Sequence, residues 1–150
     1  MGMYTKINII LSIKNDTPKQ IKEILDSMFQ GDSVEDMREK FLEIPEHKFF
    51  ESGMRVWFPA SGGSFYFTGT VNSKIVYEDI GNKMVLHIDT DFKNYGDEIE
   101  HFLDWIAPYI EARQNEFLGY SRYEETNNPT LYFFKDKKII SFVNNNVEEY

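Results

Sequence analysis

The chain contains no cysteine. Disulfide cross-links, thiol nucleophiles and cysteine-based zinc centres are therefore excluded. The lack fits a reducing compartment, and a cytoplasmic location is the expectation. Long apolar runs are missing as well: none approaches the roughly 18 residues that a bilayer-spanning helix needs. No apolar stretch near the N-terminus leads to a small-residue cleavage site, which argues against a signal peptide. Met1-Gly2-Met3 has the look of a cloning scar and is kept out of the fold argument.

Histidine is scarce. A serine hydrolase would have to draw its base from His47, His87 or His101. No spacing ties any of them to a serine, and there is no Gly-x-Ser-x-Gly elbow. The loop Ser61-Gly62-Gly63-Ser64 lacks the spacing of a P-loop or a dinucleotide fingerprint, and no helix pattern follows it. No motif implies a cofactor.

Positive charge is in deficit, with 16 Lys and Arg against 25 Asp and Glu, a net of −9. The deficit is uneven. Residues 1–75 hold 9 basic and 10 acidic residues (net −1), and residues 76–150 hold 7 and 15 (net −8). Such a chain is repelled by phosphate backbones, so nucleic acid is not an expected partner. Lys135-Asp136-Lys137-Lys138 is the best basic patch, and it reads as a solvated hairpin turn. A basic protein partner, or solubility alone, fits the charge better. Size, acidity and the absence of cysteine resemble small bacterial or phage proteins, among them immunity proteins that block basic toxins. This is an analogy of composition, not of motif.

What the chain has in quantity is aromatic residues: 13 Phe, 9 Tyr and 2 Trp in 150 residues. That length suits one domain with a proper core. No linker or internal repeat divides it, so residues 1–150 read as a single domain with a frayed tail at Asn144–Tyr150.

The first strand spans Tyr4 to Lys14, with Ile7, Ile9, Leu11 and Ile13 on one face. Thr17 and Gln20 suggest a capping box around Pro18, opening a helix with Ile21, Ile24, Leu25 and Met28 on its apolar stripe. Ser33 and Asp36 suggest a second cap, for a short helix running to about Leu42. Residues 43–54 show no clear pattern. Strands are then expected at Arg55–Phe58, Ser64–Val71, Lys74–Ile80 and Lys83–Phe92, separated by Gly and Asn turns. A helix from Asp97 carries Ile99, Phe102, Leu103, Ile106 and Ile110, and Pro108 should kink or shorten its end. Strands at Glu116–Glu125, Thr130–Lys135 and Lys138–Val143 close the domain. Tight turns between strands forbid an all-parallel sheet. The expectation is an α+β fold: a mainly antiparallel twisted sheet with its two longer helices on one face, and function sought on the other.

Three groups on that other face have chemical potential. His87, Asp89 and Asp91 alternate along one strand, and an imidazole with carboxylates suits zinc, manganese or iron. A metal-assisted hydrolase built on them is one reading, provided other strands bring further ligands. Tyr120, Arg122 and Glu124 share a strand face, where Arg122 could hold a small anion with Glu124 orienting its guanidinium. The competing reading is an ordinary cross-strand ion pair. Finally Tyr66, Tyr132 and Tyr120 or Tyr123 can gather on the outer face as an amphipathic contact surface. Catalytic motifs are missing while surface charge and aromatics abound. The preferred expectation is therefore a non-enzymatic protein-binding module with an acidic, Tyr-bearing sheet face. A second copy of the chain is an equally economical partner.

Overall fold

The computed structural model describes residues 3–62 and 72–143. The expected strand Ser64–Val71, Tyr66 within it, and the tail Asn144–Tyr150 lie outside the described residues. Among the described residues six strands form one antiparallel sheet. They are β1 (Thr5–Ser12), β2 (Lys74–Glu78), β3 (Lys83–Phe92), β4 (Glu116–Tyr123), β5 (Thr130–Lys135) and β6 (Lys138–Val143), in the spatial order β2-β3-β1-β4-β5-β6. Helices α1 (Lys19–Phe29), α2 (Val34–Lys40) and α3 (Glu98–Ile106) complete the α+β fold. No described helix is long and apolar enough to cross a membrane.

The period-two pattern of β1 sets the core. Ile7, Ile9 and Leu11 are fully buried, and across the central pairing so are Met84, Leu86 and Ile88 of β3. The stripes of α1 (Ile24, Leu25, Met28) and α3 (Ile99, Phe102, Ile106) close on the same face. Turn chemistry fixes the hairpins. Gly81 and Asn82 adopt positive φ in the β2–β3 loop, as do Asp136 and Lys137 in the two-residue β5–β6 turn. The side chain of Gln114 braces that second turn. It donates to Asp136 Oδ1 at 2.8 Å and accepts from the Asp136 N–H at 3.1 Å.

Several local expectations hold. Ser33 and Asp36 form a reciprocal capping box, with Asp36 N–H donating to Ser33 Oγ at 3.1 Å and Ser33 N–H donating to Asp36 Oδ2 at 2.8 Å. Those hydrogen bonds hold the Asp36 carboxyl below its ordinary pKa. At Pro108 the α-helix gives way to a 3₁₀ turn, Ala107–Tyr109, as a missing backbone donor requires.

Others are corrected. Pro18 occupies the N-cap of α1, and no side-chain cap bond forms. Gln20 instead donates to the Glu43 carbonyl at 2.5 Å, tying the helix start to the following loop. Arg55–Phe58 is not a strand. Its backbone closes on itself, with Phe58 N–H donating to Arg55 O at 3.1 Å and Ala60 N–H to Trp57 O at 2.9 Å. Pro59 sits in the resulting 3₁₀ turn Phe58–Ala60, where it can neither donate to a ladder nor extend. The unpatterned residues 43–54 contribute two side chains to the core. A 3₁₀ turn at Lys48–Phe50 drives Phe49 and Phe50 against α3, with Phe49 5.5 Å from Phe102 and Phe50 4.8 Å from Trp105 between ring centroids.

Candidate functional site on the open sheet face

The helices cover one face of the sheet, so strand parity decides which side chains stand on the other. On β3 these are Val85, His87, Asp89 and Asp91, as the alternation implies. They do not converge into a metal site. Asp89 is ion-paired with Lys6, which projects from the adjacent strand β1. The Asp89 N–H also donates to Ser73 Oγ at 3.0 Å. Asp91 is fully buried, while His87 is half-buried opposite Lys74 and Ile10. Among the described residues no three His, Asp or Glu side chains are grouped to hold a metal ion. The reason is the neighbouring strand: β1 offers this row a lysine, an asparagine and an isoleucine, and no further ligand.

Tyr120 and Arg122 do share the open face of β4. Tyr120 lies opposite Asn8 and Leu131, and Arg122 opposite Lys6. With Asn127 and Pro129 they line a shallow cleft of about 450 Å³. Glu124 lies beyond the end of β4, in the following turn, where its N–H donates to the Tyr4 carbonyl at 3.0 Å.

The tyrosine surface is corrected in its membership. Tyr132 faces the helices, is 4 % exposed, and shares a 2.7 Å hydrogen bond with Ser121 Oγ. Burial pushes its phenol up to about 12. Tyr123 pairs with Thr5, and its hydroxyl donates to Glu125 at 3.4 Å, so it also leaves the open face. Of the expected tyrosines that are described, only Tyr120 stands there.

The register of β5 explains the change. Its residues Thr130, Tyr132 and Phe134 point toward the helices, and Leu131, Phe133 and Lys135 point away. Both sets carry large apolar groups, so amphipathicity could not choose between them. The choice is made in β4. The pairing Ser121↔Thr130, Tyr120↔Leu131 and Gly119↔Tyr132 sets Gly119 opposite Tyr132, where no side chain competes with the ring, and the register shift that follows sets Phe117 opposite Phe133. Gly119 is required there for a second reason. A Cβ at this position would stand 2.1 Å from the Asn8 carbonyl oxygen and 2.6 Å from Ile9 Cα.

What the open face presents instead is an apolar surface. Two cross-strand rows run over β4, β5 and β6: Phe117–Phe133–Ile140 and Tyr120–Leu131–Phe142. The Phe117 and Phe133 rings lie 5.5 Å apart. Phe117 and Phe142 are each 55 % exposed, Ile140 40 %, and Ile10 on β1 49 %. Arg122, Lys135 and Lys138 stand at the border of these rows, so the β4–β6 part of the face is apolar with basic margins, while Asp89 and Asp91 lie on its β3 part. Reading for charge and tyrosine missed these residues. A usable signal was present: Leu131-Tyr132-Phe133-Phe134 is apolar at both parities, in a sheet with helices expected on one face only.

Comparison with protein-family models, with curated proteins and with solved structures gives no match.

Proposed function

We propose that this chain is a non-enzymatic protein-binding module that docks a protein on the apolar open face of β4, β5 and β6. The observation that carries the reading is the pair of cross-strand rows, Phe117–Phe133–Ile140 and Tyr120–Leu131–Phe142, that the helices leave uncovered. Water contact penalises such surface by roughly 25 cal/mol for each Å². Contiguous apolar patches on a monomer commonly mark interaction sites, and aromatic side chains are enriched at the centres of interfaces. The basic margin of Arg122, Lys135 and Lys138 favours a partner with acidic groups around its contact. This replaces the basic partner suggested by the net charge, because local charge at the contact outweighs distant charge that salt screens.

The test is affinity capture from the native organism with wild type and Phe117→Lys side by side, followed by titration of the purified partner. The expected result is a partner whose affinity falls at least tenfold in the variant and survives high salt. A partner that binds both forms equally overturns the reading.

A second reading, capture of a small anion, is supported by Arg122 lining the Tyr120 cleft, although Lys6 across the strand pairing is already ion-paired with Asp89. Phosphate titration followed by NMR would report it as saturable shifts at Arg122 and Tyr120, absent in Arg122→Gln.

A further inference from the structure

We infer that β6 pairs edge to edge with β6 of a second copy of this chain, continuing the sheet across a two-fold axis. The inference rests on the protein-binding reading above and names the partner at the β6 border of that surface.

One side of β6 is paired with β5 along its whole length, from Thr130↔Val143 to Lys135↔Lys138. Among the described residues no strand lies on its other side. Natural edge strands are protected by charge, proline, bulges or shortness. β2, the opposite edge among the described strands, fits that rule, with five residues bounded by Lys74 and Glu78. β6 does not. After Lys138 it reads Ile139-Ile140-Ser141-Phe142-Val143, with an unbroken register against β5.

Both flanks of this edge can receive side chains. Outward lie the exposed Ile140 and Phe142. On the helix side a groove of about 400 Å³ runs between α3 and β6, with Leu103, Ala107, Tyr132 and Ile139 as its apolar part and Glu100, Asp104 and Lys138 among its charged part. An added strand sends alternate residues to each side, so one set would meet the apolar rows and the other a groove with apolar and charged parts.

Charge selects the partner and its direction. Lys135, Lys137 and Lys138 mark one end of β6, while at the other end Glu100 and Val143 line a common cleft. An antiparallel copy sets the basic end of each chain against the acidic end of the other, which is the self-complementarity of a two-fold interface. Opposite residues in an antiparallel pair share a face, so outward residues must meet outward residues. Centring the axis on Ser141 brings Ile140 of each copy opposite Phe142 of the other, and Ile139 opposite Val143.

The chain lacks cysteine, so Ser141→Cys introduces a single thiol. Paired Cα atoms across antiparallel strands lie about 4.5–5.5 Å apart, within disulfide reach. Sedimentation of wild type should give twice the 17.7 kDa chain mass. Mild oxidation should link most Ser141→Cys chains into dimers but leave Lys74→Cys, on the other edge, unlinked. Phe142→Lys, at an exposed position, should weaken the dimer at least tenfold. A wild-type chain that sediments as a monomer at every concentration, or equal cross-linking from both edges, overturns the inference. Phe117→Lys separates this from the broader reading, because β4 is two strands from the seam. A monomer whose other partner is still lost in Phe117→Lys overturns the dimer alone. A dimer that persists while Phe117→Lys captures its other partner normally supports the dimer and overturns the broader reading.

Discussion

Strand β5 carries apolar side chains on both faces, and the molecule treats the two faces differently. Tyr132 and Phe134 are buried under α3 and the core, whereas Leu131 and Phe133 face away with Phe117, Ile140 and Phe142 around them. On the helix side, contacts among rings and aliphatic groups stabilise the fold. On the open side the same residue types stay partly exposed, which is the basis for the proposed contact with a partner. Residue type alone therefore does not separate structural from binding roles; the layer opposite each side chain does.

The difference can be broken most severely from the buried side. Phe49 is fully buried and in ring contact with Phe50, Phe102 and Trp105. Phe49→Ala should lower stability by about 3–5 kcal/mol, measured by urea denaturation. Gly119→Ala tests the seam between β4 and β1, since its Cβ would strike backbone atoms of Asn8 and Ile9 that cannot yield cheaply. A loss of about 1–3 kcal/mol is expected, with no change in the binding face unless the register itself shifts.

Tyr132→Phe is a milder probe. It strands the buried Ser121 hydroxyl and should cost about 1 kcal/mol at neutral pH. It also has a pH signature. The folded phenol, pushed up to about 12 by burial, titrates above its ordinary value of 10.0. Folding therefore favours the neutral phenol. The stability linked to this group is complete below pH 10 and is lost as the pH rises from there toward 12. Thermal denaturation across that window should be steeper for wild type than for Tyr132→Phe. The smallest effect on folding is expected on the open side, where Phe117→Lys should change stability by no more than about 0.5 kcal/mol while removing partner binding. A large destabilisation by Phe117→Lys would mean that the open face is structural, and the contrast between the faces would fail.

Much of the architecture was readable in the chain. The alternation in β1 and β3, the stripes of α1 and α3, the Ser33–Asp36 cap and the Asp136-Lys137 turn all appear where residue chemistry places them. These features are local or strictly periodic. Arg55–Phe58 was misread because aromatic and β-branched residues favour strands, and Pro59 weighed less in the pattern than it does in the backbone. Residues 43–54 were illegible because they are irregular. Their two phenylalanines are core by virtue of what α3 brings to them, from some fifty residues away along the chain.

The candidate site was less legible than the fold. Tyr120 and Arg122 were placed on the correct face, since β4 alternates clearly around them. Tyr132 was placed on the wrong one, and the apolar rows went unseen, because β5 is apolar at both parities. A period of two names two faces without saying which one a layer of helices will cover.

By itself the sequence determined the six described strands, the three α-helices, the mainly antiparallel character of the sheet and the acidic, cysteine-free character of the chain, because propensity, periodicity and turn chemistry act over a few neighbouring residues. Only the tertiary structure decided that Lys6 takes Asp89 out of the His87 row, that the β4–β5 pairing turns Tyr132 inward opposite Gly119, and that β6 ends the described sheet with exposed apolar side chains. Each of these depends on which strand lies beside which, a relation between segments that no local pattern contains.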